Sequence, residues 1–557
     1  MSLRKYVGIY KHTLTLLCLS VLVFILFGGT ISHRFNSDDY LVLYHAIHRS
    51  AATPAEGLAE FLKPSWGLYY RPGIKVFFEV LAKSFGLWSG GYHTVSLICY
   101  TLLCLEIYLI GLLLTERWLV ALAAAIIFMT SSVHGEAIFW ISSLNGVVEN
   151  LLTLASLACF VWWRRGCKRF PYFLSLVFFA SALFVKESAM SLPLILIVYD
   201  ILLGGEALWP AAPKRAAKSC WPFVLLGISF VLLRHAIMKQ VQLPPSLTTF
   251  DMRILTIGLW YSLIMTLSPV DWALALHWFE KLRVSGILFH LSAVIGILTV
   301  AVIPLVIRKF RMTFLLWWIL ASAAPILALG LVPSERHTVF GSAGAALLVS
   351  IALFRSAGWI VRKPGTYSIM LGCVLAAAFS ASGCYFLKQR QAIWKHASEV
   401  ANNLVEQTVS IYPIPARNTT FFFLNVPDSI DGALIFRFEN LAYALRLFYG
   451  DDSIDVIRIV TPERVPSGAL SNAKAAYFRI AAMGGHIHVP RQYSQSPQLA
   501  AGWQKIERLQ ILTEDVRYLR NWDRYSVSPF LIYAGGALIP APSEELIAIL
   551  QELYSLK

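Results

Sequence analysis

Long apolar runs separated by short polar segments dominate the first two thirds of the chain. The runs are continuous and roughly 20 residues long, as a helix that crosses a bilayer requires. A membrane β-barrel would instead show short alternating segments, so the pattern predicts membrane-spanning α-helices. The predicted helices cover about 12–31, 93–114, 118–133, 144–163, 171–185, 188–204, 219–237, 285–306, 313–332, 338–355 and 366–387.

The stretch 238–284 decides the number of spans. If its apolar part, 254–270, crosses the membrane, the chain has about twelve helices and the basic cluster at Arg308 lies outside. If that part lies flat or re-enters, about eleven helices remain and every basic loop is cytoplasmic, so the positive-inside rule favours eleven. Arg4, Lys5 and Lys11 place the N-terminus in the cytoplasm, and residues 1–31 are interpreted as an uncleaved first helix.

Composition supports a membrane protein, because 57% of the 557 residues are hydrophobic and only 14% are charged. The net charge of +15 is explained by Lys and Arg in cytoplasmic loops, so no nucleic-acid partner is predicted. The eight cysteines form no CxxC or Cys/His pattern, and none follows Cys384, so neither a zinc site nor a disulfide framework is predicted.

Residues 388–557 lose the apolar runs and form a second predicted domain after the membrane domain 1–387. Thr419–Val426 and Asp455–Val460 have strand patterns, and Ser543–Tyr554 has the pattern of an amphipathic helix. We therefore predict a polytopic α-helical membrane protein with a small C-terminal extracytoplasmic α/β domain. The segments 32–91, with interfacial helices, and 238–284 are the two large extracytoplasmic loops of the membrane domain.

Polar and charged residues gather at the extracytoplasmic ends of the predicted helices, whereas the opposite face carries mainly Lys and Arg. Ionisable groups at membrane depth are costly and usually functional, so this asymmetry predicts a site. The candidate residues are Asp38, Asp39, Tyr70, Arg71, His134, Glu136, Asn145, Lys186, Glu187, Glu335 and Arg336.

The chemistry of these residues suits glycosyl transfer. Asp38 or Asp39 can serve as a general base, and mutual repulsion would raise the pKa of one of them. Arg71, Lys186 and Arg336 can bind a phosphate leaving group. Trp66, Tyr69, Tyr70 and Trp140 could stack on a sugar.

Each residue also has a simpler interpretation. An Asp pair after a helix can be a solvated cap, Arg71 can extend to lipid headgroups, and Lys186 with Glu187 can form an interfacial ion pair. His134 and Glu136, two positions apart, would make a weak metal site on their own, and no metal residues are assigned.

The motifs, taken in order, resemble the GT-C superfamily of polyprenyl-phosphate-sugar glycosyltransferases. Within it, they most resemble the membrane part of the transmembrane-and-TPR O-mannosyltransferases. Asp38-Asp39 resembles the first-loop acidic motif of that family, and Tyr70-Arg71-Pro72 its Tyr-Arg-Pro motif. The other matching stretches are Ser132–Ala137, Lys186–Ser188, Glu335–Ser342 and Arg253–Asp271.

The resemblance implies an inverting transfer at the outer membrane face, with a first-loop Asp as base and Arg and Lys on the lipid phosphate. It also implies a role in substrate binding for Tyr70, His134, Glu136, Asn145, Glu187 and Glu335. No cofactor is predicted, although a divalent cation such as Mg²⁺ or Mn²⁺ is left open because GT-C enzymes differ in this respect.

The sequence departs from the family at four places. The family's Arg-x-Asp reads Leu144-Asn145-Gly146 here, its first His is Ser132, the Pro of its Glu-Arg-x-x-Tyr-x-Pro-Ser motif is missing from Glu335–Ser342, and residues 388–557 replace the TPR repeats. The prediction is a glycosyltransferase of the inner (cytoplasmic) membrane that uses a polyprenyl-phosphate-linked sugar and a protein, glycan or lipid acceptor. The alternative is a non-catalytic GT-C-like scaffold or a transporter.

Overall fold

The computed structural model describes most of the chain, including nearly all predicted helices. Trp66, the predicted helix 285–306, Arg308 and most of Ser543–Tyr554 lie outside the described residues. The described residues are 3–48, 54–65, 69–205, 211–239, 252–270, 309–328, 334–362, 365–424, 426–437, 439–460, 486–488, 503–506, 509–512, 528–534 and 536–544.

The described part of the chain contains 7 helices long and apolar enough to cross a membrane, or 8 if one bent pair counts as a span. The protein is therefore a multi-pass membrane protein. Contacts divide the chain into two compact units. Unit 1 comprises residues 1–31, 51–77 and 91–391, and unit 2 comprises residues 32–50, 78–90 and 392–557.

The described α-helices before residue 271 begin with the predicted first span. They are α1 (Leu3–Phe27), α2 (Asp38–Ile47), α3 (Pro54–Phe61), α4 (Pro72–Phe85), α5 (Ser89–Thr115), α6 (Trp118–Met129), α7 (Gly135–Phe139), α8 (Leu144–Arg164), α9 (Phe170–Val185), α10 (Leu192–Leu203), α11 (Ala211–Met238) and α12 (Met252–Leu267). The helices that follow are α13 (Phe310–Leu327), α14 (Val339–Val361), α15 (Thr366–Ile411) and α16 (Asn440–Tyr449).

The segment 134–143, predicted to be a loop, is mostly helical. After α6 the chain bends by 51° into a 3₁₀ turn at Ser132–His134, then α7, then a second 3₁₀ turn at Ile141–Ser143. The sequence pattern missed these turns because each is only three to five residues long. They bring Glu136 to the end of the bundle at which α8 begins.

The ends of the helices of unit 1 agree with the eleven-helix topology. Arg165 pairs with Glu116 at 2.9 Å, and Arg117 lines the same cavity as Arg355 and Arg362. Twelve helices would have put Arg355 on the opposite face from Arg117. The apolar stretch 254–270 forms α12 (Met252–Leu267), with 16 residues.

Helix α15 is longer than the apolar run 366–387 that predicted it. It has 46 residues and continues past the apolar run as an amphipathic helix. In this extension Trp394, Ala397, Ala401 and Leu404 are buried, and their spacing of three and four residues is that of one helix face.

Unit 2 contains the predicted α/β fold. Its seven-stranded mixed sheet has the order β6-β7-β5-β4-β1-β8-β9, and β1 lies at its centre between two parallel partners. The residues Phe421 to Leu424 of β1 are all buried, as expected for a central strand covered on both faces. The strands are β1 (Thr420–Leu424), β2 (Ser429–Ile430), β3 (Ala433–Leu434), β4 (Asp455–Val460), β5 (His486–His488), β6 (Trp503–Ile506), β7 (Leu509–Leu512), β8 (Phe530–Ala534) and β9 (Ala537–Ala541).

A buried carboxylate joins three spans at the end of unit 1 where the basic loops lie. Asp200 of α10 is fully buried, and its Oδ1 lies 2.8 Å from Arg164 of α8 and 3.4 Å from Arg215 of α11. Ser219 donates a further hydrogen bond to its other oxygen. The buried carboxylate is thus both paired and hydrogen-bonded, as a buried charge requires.

We predict that Asp200→Ala destabilises unit 1 by about 3–5 kcal/mol, because it leaves two largely buried guanidinium groups unpaired. The matched control is Glu116→Gln, which breaks the exposed pair with Arg165 and should cost at most about 1 kcal/mol. Thermal unfolding of the detergent-solubilised protein measures both. Equal melting temperatures for the two variants would contradict the prediction.

Candidate active site

The first element of the site is a bidentate ion pair. Arg71 donates from Nε and Nη2 to the two carboxylate oxygens of Glu187, at 2.9 and 2.6 Å. Pro72 begins α4 just after Arg71, and Gly73 approaches the backbone of Phe184 so closely that a Cβ would lie 3.1 Å from its carbonyl oxygen. This close approach brings Arg71 to the junction of α9 and α10. Burial opposes ionisation of Glu187, but the paired guanidinium outweighs it and lowers the pKa of Glu187 to about 2.

Lys186 is the second element of the site and, unlike Arg71, has no direct partner for its charge among the described residues. It is only 4% exposed, and its ammonium makes no hydrogen bond or ion pair within the described part of the chain. Its Nζ lies beside Gly146, 3.4 Å from where a Cβ would stand. Burial lowers the pKa of Lys186, and the neighbouring positive charges of Arg71 and Arg336 lower it further.

The partial counter-charge to Lys186 comes from Glu149 in α8. This carboxylate is buried and accepts hydrogen bonds from Ser188 at 3.1 Å and Thr153 at 3.2 Å. Its attraction opposes the lowering of the pKa of Lys186 without outweighing it.

Arg336 is the third cation. Its guanidinium lies 3.9 Å from Glu136 and over the ring of Trp140, 5.2 Å from the ring centre. The adjacent His337 is kept neutral, because burial and then the charges of Lys186, Arg336 and Arg71 hold its pKa well below the ordinary value. Its Nδ1 accepts the backbone N–H of Ser334 at 3.2 Å.

Glu335 points to a different partner. Arg390 of α15 donates to its Oε1 at 2.7 Å, and its Oε2 lies 3.3 Å from where a Cβ on Gly135 would stand. The site end of unit 1 thus brings together residues from α7, α8, α15, the α9–α10 junction and the 3₁₀ turn at Glu335–His337.

Three other predicted site residues are buried or half-buried. His134 is buried, with Nδ1 2.7 Å from the hydroxyl of Tyr100 and Nε2 2.7 Å from that of Ser342. Tyr70 is buried, and its ring packs beside Phe230. Asn145 is half-buried in the first turn of α8.

Asp38 and Asp39 belong to unit 2, where they begin α2. Asp39 is 2% exposed, and its Oδ2 accepts the backbone N–H of Asn36 at 3.1 Å. Asp38 is half-buried, and Asn440 of α16 donates from Nδ2 to its Oδ1 at 2.7 Å. The two carboxylates therefore have different surroundings, which the sequence alone did not distinguish.

Residues 434–440 of the same unit hold the pair Asp38 and Asp39 in place through hydrogen bonds. The N–H of Ser37 donates to the carbonyl of Ile435 at 2.7 Å, and the side chain of Asn36 donates to that of Leu434, also at 2.7 Å. Ser37 has φ 48° and ψ −122°, a conformation that costs about 1–3 kcal/mol and persists only where its surroundings fix it.

Sequence reasoning missed Glu149, Arg390 and Asn440. Glu149 did leave a signal, since a carboxylate within an apolar span is expensive. Arg390 and Asn440 left none, because each acts through a contact with a residue far away in the chain. Within the described ranges, no three His, Cys, Asp or Glu residues group so that they could hold a metal ion.

No family model matches the chain, and no curated protein matches it. Solved structures are similar to it. An oligosaccharyltransferase of Archaeoglobus fulgidus in the apo form is 13% identical, with a TM-score of 0.45 over 84% of this chain and 68% of that one. ArnT of Cupriavidus metallidurans bound to undecaprenyl phosphate is 10% identical, with a TM-score of 0.44 over 97% of this chain and 98% of that one.

Another structure of the archaeal enzyme, AglB, contains an inhibitory peptide and a dolichol-phosphate.

We predict that Asn440→Ala loosens the acidic pair, because it removes the amide that donates to Asp38 and to the hydroxyl of Ser37. A hydrogen bond to a charged group contributes about 1.5–3 kcal/mol, so amide hydrogen exchange in residues 36–40 should accelerate at least about tenfold. Asn403→Ala, at an exposed position of α15, is the control. Unchanged exchange at Ser37 would contradict the positioning role of Asn440.

Proposed function

We propose that this protein is a membrane glycosyltransferase that moves a sugar from a polyprenyl-phosphate-linked donor to an extracytoplasmic hydroxyl or amine acceptor. The reaction inverts the configuration at the anomeric carbon of the transferred sugar. The acceptor is a protein, a glycan or a lipid, and the enzyme lies in the cytoplasmic membrane with residues 388–557 on the extracytoplasmic side.

The buried ammonium of Lys186 is the observation that carries this proposal. A buried charge without a direct partner is strongly unfavourable unless an anion compensates it. Arg71 and Arg336 lie close enough to depress the pKa of Lys186, so the uncompensated positive charge at Lys186 favours a negatively charged ligand. A phosphate has that charge and the geometry for guanidinium groups.

The cations have a defined role in such a reaction. When the bond between the anomeric carbon and the phosphate oxygen breaks, negative charge develops on the departing polyprenyl phosphate. Donors already fixed in place stabilise that charge without reorganising, which is a large contribution to catalysis. Glu187 keeps Arg71 in position, and Glu136 lies beside Arg336.

Asp38 is proposed as the general base, which takes the proton of the acceptor while its oxygen or nitrogen attacks the anomeric carbon. The surroundings of the two carboxylates support this choice. Asp39 is buried and caps a backbone N–H, whereas Asp38 is half-buried and is bound by Asn440 through Oδ1 only. Tyr70, His134, Asn145 and Glu335 stay predicted substrate-binding residues, and Mg²⁺ or Mn²⁺ is not required in this scheme.

We predict that Asp38→Asn reduces turnover by about 10²–10⁴-fold, the contribution of a general base, without lowering the melting temperature. Asp39→Asn should instead destabilise the protein, because the buried carboxylate of Asp39 accepts the backbone N–H of Asn36. Purified protein in nanodiscs, assayed with defined polyprenyl-phosphate sugars, measures turnover. Wild-type turnover in Asp38→Asn would exclude it as base, and wild-type glycans both in cells carrying Asp38→Asn and in cells carrying Asp39→Asn would favour a non-catalytic scaffold.

We predict that Lys186→Met lowers donor turnover by about 10²–10³-fold, as for loss of one preorganised donor, while the melting temperature holds or rises. Folding lowers the pKa of Lys186, so its positive charge destabilises the folded protein at pH values below this lowered pKa. The destabilisation disappears as the pH rises above the ordinary pKa of lysine. Arg71→Met is the control, since it strands Glu187 and should cost about 3–5 kcal/mol. Marked destabilisation by Lys186→Met would show that the lysine is structural.

A further inference from the structure

A second cationic region lies at the other end of unit 1, where the basic loops are. A cavity of about 800 Å³ opens there between the end of α14, the start of α15 and Arg117. Its lining combines three guanidinium groups with apolar side chains and contains no carboxylate. The lining residues are Arg117, Phe354, Arg355, Gly358, Trp359, Ile360, Arg362 and Ser368.

The charges of the three arginines have no ion-pair partner among the described residues. The contact of Arg355 is with the sulfur of Met312 at 3.0 Å, which offers no charge. The nearby Glu116 pairs with Arg165 instead. Three converging guanidinium groups without a carboxylate favour an anion with several oxygen acceptors.

The apolar part of the lining indicates what carries that anion. Trp359 is 83% exposed and Ile360 is 58% exposed, both at the end of a membrane span. Tryptophan at this level of a membrane protein sits among lipid headgroups. A soluble anion would gain nothing from these side chains, whereas the glycerol and upper acyl carbons of a lipid would cover them.

A contact between two helices bounds the cavity. Gly372 of α15 lies against the ring of Phe354 of α14, so that a Cβ there would stand 2.7 Å from the ring. The cavity lies at this contact, between the end of α14 and the start of α15. Basic pockets between spans on the cytoplasmic side are suited to anionic headgroups.

We infer that this cavity binds the phosphate headgroup of an anionic phospholipid from the leaflet on the side of the basic loops. The site is independent of the proposed glycosyl transfer, and nothing in that proposal requires it. Its ligand chemistry is a phosphodiester held by Arg117, Arg355 and Arg362, with the lipid body against Trp359 and Ile360.

The test is native mass spectrometry of the full-length protein in detergent, titrated with dioleoyl phosphatidylglycerol or dioleoyl phosphatidylcholine. We expect wild type to retain phosphatidylglycerol at least about tenfold more tightly, and the triple variant Arg117→Gln, Arg355→Gln, Arg362→Gln to lose that preference. The matched control Lys168→Gln, Arg169→Gln, Lys214→Gln removes the same charge from exposed positions of the same end and should keep it.

Two further measurements complete the test. Inorganic phosphate at millimolar concentration should not displace the lipid; displacement would mean that a soluble anion occupies the site. If the triple variant does not fold, Arg355→Gln alone should reduce the preference for phosphatidylglycerol severalfold. Equal loss in the cavity variant and the control variant, or no preference in wild type, would overturn the inference.

Discussion

The buried charge of Lys186 is the constraint around which the site end of unit 1 is arranged. Burying an ammonium costs free energy in proportion to the hydration it loses, and like charges nearby add to that cost. Arg71 and Arg336 are such neighbours. Glu149 forms no direct ion pair with Lys186 in the described part of the chain, and its oxygens accept hydrogen bonds from Ser188 and Thr153 instead. The fold thus keeps the lysine charged but incompletely compensated, and an anionic ligand can supply the remainder.

The other cations of this end show why that arrangement is selective. Arg71, Arg336 and Arg390 each face a carboxylate, at distances from 2.6 to 3.9 Å. Paired guanidinium groups are fixed in direction but retain donors for a further acceptor. Because the pairs fix where the guanidinium groups stand, a phosphate that approaches Lys186 meets donors already oriented. The pairs therefore contribute geometry, and Lys186 contributes uncompensated charge.

Features that a single run or short motif of the sequence encodes could be predicted, whereas features spread over several short turns could not. The spans were predicted because each contains enough apolar residues in one run, and Arg71, Lys186, Glu187 and Arg336 because each lies in a short motif. The bend after α6 and the helical turns at 132–143 were not, since their information is spread over turns of three to five residues. Helix α15 could have been extended beyond 387, because Trp394, Ala397, Ala401 and Leu404 keep a helical period.

The two ends of unit 1 use the same residue type in opposite ways. At the site end every arginine named above stands beside a carboxylate, so its guanidinium is held and the position of any bound phosphate is defined. Around the cavity at the other end, Arg117, Arg355 and Arg362 have no such partner in the described part of the chain and are free to follow a headgroup. Selectivity for one reacting phosphate requires fixed donors, whereas attachment to a fluid leaflet requires only charge at the right depth. The difference in carboxylates is therefore what separates a candidate catalytic end from a candidate lipid-binding end.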